Sequence, residues 1–440
     1  MFYLNKNTEL TTVLLNKMIN RFNLNDRPKR QNYKNYYDGI QKILTKTYSD
    51  PSKPCNKTVI NYAASIANSY AGYIASPGYI SYSSKQDISE IMEILRYNDY
   101  QAQDAALLHD ALVYGVAAEL MFNDNSGHTR FRTINPTQCF GIYDDSLTGD
   151  LLYFVRMYKA SDWDDGDTWN VDVYSDYDIK HYTMTGQSGN LIFSSEEPHY
   201  FSQCPANILA LPDEKSIFDC ILTLQDAANE ILSSEIDDLQ AFVDAFLTLT
   251  GVDAENDDIA SMKENRVLVL PQGAQAAWLT KNANDVQVEN ILKRIHDSIY
   301  RISQCVDFSS EHLMSGVSSG IAIRYKMCGQ ENRAATIEAE MKKALQRRVE
   351  IICGIAALKM GEEVFRDVDI SFKRNIPDDY NSLISVVNSL KGVVSDATLL
   401  GLLPFVDDVN AEIEAVNKQK QQNMKMYDFG GNQNIEDDEE

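Results

Sequence analysis

Two long amphipathic helices, predicted between residues 212 and 306, constrain the fold of this chain more than any other feature. A short strand-rich insert separates them, and a Gly/Ser loop leads from the second into a third long helix. Some thirty residues of continuous helix would span about 45 Å, a length typical of a subunit that lines a channel or spans a ring. In the first helix, apolar residues keep to one face through their spacing of three and four: Ile217, Ile221, Leu224, Ala228, Ile231, Leu239, Phe242 and Phe246.

The acidic residues of this 440-residue chain are unevenly distributed. The formal charge is −24, and residues 213–258 carry thirteen Asp or Glu against one Lys, a net of −12. Such a field argues against a protein that grips nucleic acid through its net charge, because neutralising phosphates requires Lys and Arg. It is compatible with an acidic wall past which a polyanion slides. A solvated helix face is the simplest interpretation of the acidic run.

Cysteine usage and hydropathy indicate the environment of the chain. Seven cysteines occur without a C-x-x-C pair, which favours a reduced, cytosolic setting. No apolar run follows a basic N-terminal stub, so we expect no secretory signal. No stretch approaches 18 consecutive apolar residues, so we expect no transmembrane helix.

Periodicity divides the first half of the chain into a helical part and a β-rich part. Helices are predicted over 8–23, 33–44, 56–74, 88–95 and 102–120, with a basic polar link at 27–30. Strands are predicted over 130–134, 140–143, 151–158, 169–174, 179–183 and 191–193.

The second half returns to long helices. Strands at 267–270 and 276–279 are predicted inside the insert, and a strand at 368–372 follows the third helix. The remaining predicted segments are a second long helix over 286–306, a third from 321 to about 359, two short helices flanking Gly392 and Pro404, and a disordered acidic tail from 419.

Most catalytic signatures are missing from the sequence. There is no phosphate-binding G-x-x-x-x-G-K-[ST] and no H-E-x-x-H. The acidic run 162–167 lacks the glycine position and closing Glu of a calcium loop, so a hairpin turn is the better interpretation. Gly316-Val317-Ser318-Ser319-Gly320 matches G-x-S-x-G, but the residues before it form a poor strand, whereas a hydrolase elbow requires one. A loop that caps the third helix is the structural alternative.

Short motifs spread over residues 33–412 follow a recognisable order and spacing. They are Tyr36-Tyr37-Asp38-Gly39 with Ile43, Asn56-Lys57, Tyr73-Ile74-Ala75-Ser76-Pro77, Ile134-Asn135-Pro136, Ile142-Tyr143-Asp144-Asp145, Asp237-Asp238-Leu239 with Phe242, Asp244 and Ala245, Ser319-Gly320-Ile321-Ala322 with Tyr325-Lys326, Phe372-Lys373-Arg374-Asn375-Ile376-Pro377, Gly392-Val393-Val394-Ser395 with Thr398-Leu399, and Leu403-Pro404.

In this order, the motifs and predicted elements resemble the portal protein family of tailed bacteriophages, in particular its branch from long-tailed phages of Gram-positive hosts. Ala75 departs from the pattern, since the family often has Gly there. The resemblance implies an α+β fold with long stem helices, a β-rich wing module, a small α/β clip and a helical crown. It assigns 1–211 to the wing (β-rich over 130–205), 212–249 and 285–308 to the stem helices, 250–284 to the clip, 309–320 to the tunnel loop, 321–372 to a long wing helix and strand, 373–418 to the crown and 419–440 to the tail.

The resemblance also implies a structural role and a set of partners. The chain would form a homo-oligomeric ring, commonly a dodecamer, at one capsid vertex of the virion, assembled in the host cytoplasm, with double-stranded DNA passing through its axis. Expected partners are the terminase large subunit, the major capsid and scaffolding proteins and a head-completion adaptor; no cofactor and no membrane are expected. The implied tunnel-loop residues are Ser309, Ser310, His312, Met314, Ser315, Ser318, Ser319 and Arg324, and the implied clip residues are Asp253, Glu255, Asp257, Asp258, Lys263, Glu264 and Gln272.

Two other functions remain open from the residues alone. A serine hydrolase would use Ser318 in the G-x-S-x-G loop. A filament or coiled-coil scaffold would use the long helices, although the β-rich region 130–193 argues against it. The acidic first helix is open as well, either as a non-adhesive channel wall or as a face between subunits.

Overall fold

The chain divides into two compact units, Met1–Asn375 and Ile376–Glu440. The computed structural model describes residues 2–51, 53–76, 78–159, 167–187, 189–242, 246–250, 275–279, 285–307, 325–354, 364–374, 380–401, 403, 406 and 409–428. Helices and strands are both abundant in the described ranges, as the predicted α+β class requires.

A six-stranded sheet forms the centre of the first unit. Its strand order is β1-β5-β6-β7-β8-β9, with β1 parallel to β5 and the other pairs antiparallel. All the predicted strands between 140 and 193 are confirmed here. The strands are β1 (Phe2–Leu4), β5 (Cys139–Asp144), β6 (Leu151–Lys159), β7 (Thr168–Tyr174), β8 (Asp178–Thr185) and β9 (Ile192–Pro198).

Both faces of this sheet are covered. Helix α1 (Thr12–Arg21) packs on one face, where Ile19 and Val155 belong to the same apolar cluster. The other face packs on a three-stranded sheet through Phe154 and its neighbours. Alternate residues of a strand point to opposite faces, so adjacent Phe154 and Val155 are both fully buried. The three-stranded sheet has the order β10-β3-β4, from β3 (Val116–Asn123), β4 (Thr129–Ile134) and β10 (Ala206–Ala210).

The N-terminal helices begin and end at other residues than predicted. The basic link at 27–30 is helical, because a π-helical turn, Phe22–Asp26, joins α1 directly to α2 (Arg27–Tyr37). Residues 56–61 lie outside α3 (Tyr62–Ile74), whose N-terminus is capped by the Asn61 side chain. The helices that follow are α4 (Ser89–Tyr97) and α5 (Tyr100–Tyr114).

The predicted helix over 102–120 is wrong in its last residues, because 116–120 belong to strand β3. Gly115 ends α5 with φ +81°, a left-handed conformation that glycine adopts without strain. Leu211 lies next to this glycine, and its backbone N–H donates to the carbonyl oxygen of Gly115 over 2.9 Å.

The first long helix is shorter than predicted. Residues 212–221 contain two 3-10 turns, with Asp213 at φ +57°, so α6 covers Leu222–Phe242. Phe246 lies in strand β11 (Phe246–Thr250), which pairs with β12 (Gln275–Leu279). The strand at 276–279 is therefore confirmed, and 267–270 lies outside the described residues. The second long helix is confirmed as α7 (Asp285–Ser303).

The third long helix is described as α8 (Cys328–Cys353), and the ends of its predicted range lie outside the described residues. Strand β13 (Asp369–Phe372) is confirmed and pairs with β2 (Ile80–Ser83), which the sequence did not predict.

The second unit contains α9 (Tyr380–Leu390), α10 (Asp396–Gly401) and α11 (Val409–Asp428). Residues 419–428 are thus helical rather than disordered.

We predict that Gly115→Ala destabilises the protein far more than Gly127→Ala, although both glycines have φ +81°. A Cβ at residue 127 meets nothing within 4 Å, so the cost is the conformational strain of about 1 kcal/mol. A Cβ at residue 115 would lie 2.6 Å from the backbone C and O of Glu214, adding about 2 kcal/mol of overpacking. Denaturant unfolding of both variants tests this difference, and equal losses would contradict it.

Candidate functional site

All the site residues predicted from the sequence lie outside the described residues. This holds for the loop set Ser309, Ser310, His312, Met314, Ser315, Ser318, Ser319 and Arg324, and for the insert set Asp253, Glu255, Asp257, Asp258, Lys263, Glu264 and Gln272. The structure instead describes the helices on either side of these two segments. Residues of the N-terminal segment, α3 and α8 anchor these flanking helices.

The two helices α6 and α7 run antiparallel. Arg333 of α8 donates to the backbone oxygen of Ile217, just before α6, and to that of Ser303, at the end of α7. At the other end, Glu235 of α6 and Glu289 of α7 line one groove of about 600 Å³. The start of α6 is therefore level with the end of α7.

One face of α6 carries a ladder of polar side chains that binds the backbone of an N-terminal segment. Four residues at i, i+4 spacing accept hydrogen bonds from backbone N–H groups, and all four are buried. Four residues of helix advance about 6 Å and two residues of extended chain about 6.6 Å, so the two repeats stay in step from Asn56 to Ile60. The last step, to Ala63 at the start of α3, takes three residues. The pairs are Gln225 Oε1 with Ala63 N (3.0 Å), Asn229 Oδ1 with Ile60 N (2.8 Å), Ser233 Oγ with Thr58 N (2.9 Å) and Asp237 Oδ1 with Asn56 N (2.6 Å).

Contacts with the N-terminal part of the chain account for five of the thirteen acidic residues of the run. Residues 17–57 carry ten Lys or Arg and three Asp or Glu, a net of +7, and they pack along the acidic residues 214–237. Five acidic side chains thereby find partners within their own chain, so a solvated face is the wrong interpretation for four of them, while the Glu230 side chain is 57% exposed. The contacts are Arg30 with Glu214 (3.4 Å), Tyr33 with Asp219 (2.6 Å), Tyr36 with Asp226 (2.9 Å), Lys46 with Glu230 (3.1 Å), and Tyr48 with Asp237 (3.0 Å).

The C-terminal end of α7 is held by two side chains. Tyr70 donates from its hydroxyl to the carbonyl oxygens of Ser303 and Gln304, both at 3.0 Å, and burial raises the pKa of that hydroxyl. Arg333 donates to Ser303 O at 2.7 Å. A cation there satisfies the last carbonyls and opposes the negative end of the helix dipole. Gln330 Oε1 then accepts from Val306 N at 3.0 Å, which fixes the chain that leads into the undescribed loop.

A buried guanidinium attaches α8 to the core. Arg348 is fully buried and forms two hydrogen bonds of 2.8 Å with the carboxylate of Glu119, in addition to one with Asp104. Burial alone would lower the pKa of Arg348, but the charges of Asp104 and Glu119 raise it well above its usual value. Tyr82 donates to Asp104 over 3.0 Å, and the Asn207 side chain donates to Glu119 over 2.8 Å. The cluster thus connects α8 with α5, β2, β3 and β10.

A second arginine holds the first half of α8. Arg374 contacts Glu331 at 2.9 Å and Glu338 at 2.5 Å, and its guanidinium lies 5.6 Å from the centre of the Tyr73 ring. Side-chain hydrogen bonds from Arg374 hold the pKa of Glu331 below its usual range. Arg374 therefore fixes the position of the chain just before the boundary between the two units.

The described residues offer little for catalysis. Within the described ranges, no group of three or more His, Cys, Asp or Glu is arranged to hold a metal ion. All seven cysteines are free thiols, and no helix in the described part of the chain is long and apolar enough to cross a membrane.

Sequence reasoning missed the polar ladder and the Arg348 cluster. The prediction for α6 depends on its apolar stripe, but Leu239 of that stripe is 57% exposed. The informative pattern was the polar series Gln225, Asn229, Ser233 and Asp237 at i, i+4 spacing. No local pattern marks Arg348 and Glu119 as partners, because 229 residues separate them.

We predict that Arg348→Met costs about 3–5 kcal/mol of unfolding free energy, because it leaves two buried carboxylates with no cation. Arg347→Met is the matched control. Arg347 is partly exposed, and its contact with Glu350 spans one helical turn, so its loss costs at most about 1 kcal/mol. Denaturant unfolding measures both, and similar losses would contradict a special role for the cluster.

We predict that Asp237 makes stability depend on pH. Desolvation tends to raise the pKa of this carboxyl, but hydrogen bonds from Asn56, Tyr48 and Lys46 hold it below its usual value. The stabilisation is therefore complete above the unfolded pKa of about 3.9 and is lost as the pH falls through the folded pKa. The gap in Tm between wild type and Asp237→Asn should be widest above about pH 5 and shrink below pH 4. Asp238→Asn, at an exposed position one residue later, is the control, and a gap that does not change with pH would refute the assignment.

Comparisons with known proteins agree with this architecture. The model of the family described as "Phage portal protein, SPP1 Gp6-like" matches residues 16–426, which span α1 to α11. The portal protein of Bacillus phage SPP1 is 21% identical over 440 aligned positions, covering 94% of this chain and 86% of that protein. Since the family match extends over nearly the whole chain, this chain belongs to the phage portal protein family.

Proposed function

We propose that this chain is the subunit of a portal ring at one vertex of a phage capsid. The ring forms the channel through which double-stranded DNA is packaged and ejected, and it provides the docking site for terminase and head-completion proteins. The family match over residues 16–426 carries the proposal. Proteins of this family are structural rather than enzymatic.

The proposed subregions follow the elements of the first unit. Two antiparallel helices joined at one end by a β-hairpin suit a stem with a clip at its tip. The sheets of the first unit suit a wing. We assign 1–211 to the wing, 212–249 and 285–308 to the stem, 250–284 to the clip, 309–320 to the tunnel loop, 321–372 to the long wing helix and strand, and 373–418 to the crown.

The two segments with proposed contacts both follow an anchored helix. The clip follows α6, which the polar ladder holds along its length, and its acidic residues (253, 255, 257 and 258) suit a basic docking surface on terminase. The tunnel loop follows the end of α7, which Tyr70 and Arg333 hold in place. A loop that starts from a fixed point can act on DNA in the channel without disturbing the ring.

Little supports the serine hydrolase. A catalytic elbow requires a strand before the serine. The described approach to Ser318, residues 304–307, contains no strand and continues from the helix α7. Ser318 itself lies outside the described residues, and no described residue favours this function.

Electron microscopy of the purified full-length chain, combined with native mass measurement, tests the proposal. We expect closed rings of about twelve copies of the 49.7-kDa chain, with a central hole. Averaged images should place the 309–320 loop at the narrowest part of the channel. Open filaments, or a chain that stays monomeric at every concentration and salt tested, would contradict the proposal.

A further inference from the structure

Next to the faces that pack within their own chain, α6 and α7 carry complementary rows of side chains. The row on α6 borders the polar ladder, and its Glu230 and Ser234 each contact Lys46 of the same chain at 3.1 Å. On α7 the row is Ile291, Arg294, Ser298 and Arg301, of which Ser298 is half-buried and the others are exposed. Ile302 next to it is 49% exposed. A spacing of three and four residues keeps such a row on one side of a helix and is the spacing of helix–helix seams.

The row on α6 is small and acidic where the row on α7 is large and basic. It consists of Thr223, Ala227, Glu230 and Ser234, again spaced by three and four residues. Thr223 and Glu230 are exposed, and Ala227 and Ser234 are half-buried. Small side chains allow the backbone of a second helix to approach closely, and Glu230 supplies a negative charge at the middle of the row.

The heights of the two rows match. Arg333 joins residues 217 and 303, and the groove at the far end joins residues 235 and 289. Residues of α6 and α7 that lie at the same height therefore have numbers that add up to about 520–524. Glu230 is level with residues 290–294 of α7. In a ring whose axis runs along these helices, every copy keeps the same height. Arg294 of one copy then meets Glu230 of the next.

We propose that the row on α7 packs against the row on α6 of a neighbouring copy, with Arg294 paired to Glu230 and Ile291 against Ser234. The proposal rests on the ring proposed above. The contact is heterologous, since two different surfaces of the chain meet, and repeating it closes a ring. Glu230 then lies between Lys46 of its own chain and Arg294 of the neighbour.

A second copy fits the α7 row better than DNA does. The arginines are flanked by Ile291, 39% exposed, and Ile302, and apolar side chains gain nothing from facing phosphates. They gain by burial against another helix. The acidic charge needed to pair the arginines is present on the same chain, on α6.

Charge reversal in the full-length chain tests the interface. Arg294→Glu places two like charges together and should raise the concentration needed for half-maximal ring assembly at least about tenfold, as should Glu230→Arg. The double variant restores the pair in the opposite sense and should recover most of the assembly. Lys293→Glu is the control, because it makes the same charge change on the same helix but lines the groove shared with the chain's own α6. Circular dichroism melts of each variant verify folding, and Ile291→Asp, a change at an exposed position, should block assembly without any change at Glu230.

The outcomes separate the interface from the function. Loss of rings in both single variants and recovery in the double variant supports the proposal. Normal rings from Arg294→Glu overturn it, and if those rings also bind DNA with a changed salt dependence, the α7 row faces the channel instead. If the wild-type chain forms no rings, both the proposed function and this interface are refuted.

Discussion

One buried guanidinium holds the first unit together. Arg348 brings a cation from the long helix α8 to two carboxylates, Asp104 on α5 and Glu119 on β3. An ion pair at this depth needs every polar group satisfied, because desolvation costs more than the attraction returns when a partner is missing. Tyr82 and Asn207 complete the set. Since these residues lie far apart in the sequence, the cluster can form only when α5, α8 and the strands β2, β3 and β10 are all in place.

One side of the acidic helix α6 packs within the chain, and another side is exposed. Its buried face binds a backbone segment through side chains instead of through a strand, and Lys46 pairs with two of its carboxylates, Glu230 and Asp237. Contacts within the chain account for five of the thirteen acidic residues of 213–258, so a channel wall and an interface between subunits both stay open for the others. The row from Thr223 to Ser234 is the face that we propose for contact with another helix.

Local patterns predicted the elements but not their long-range partners. Alternation in β6 and β7 and the periodicity of α7 are properties of short windows, and they identified those elements correctly. The helix over 102–120 failed in its last residues because Gly115 ends it, and the apolar run that follows fits a buried strand equally well. The pairing of β2 with β13 and of Gln225 with Ala63 depends on contacts that no window contains. The predicted site residues fall in the segments 251–274 and 308–324, outside the described structure.

Anchoring on one face is what qualifies α6 and α7 as walls of an assembly. If one helix surface made both the contact within the chain and the contact with a neighbouring copy, the two contacts would compete. The order of the helix would then depend on the protein concentration. Here the polar ladder (Gln225, Asn229, Ser233 and Asp237) binds the backbone of the N-terminal segment. The neighbouring row contacts that segment through Lys46, at Glu230 and Ser234, and its Thr223 is exposed, as are Ile291 and Arg294 on α7. Assembly then joins faces that are already rigid, and it costs less conformational entropy than folding on contact would.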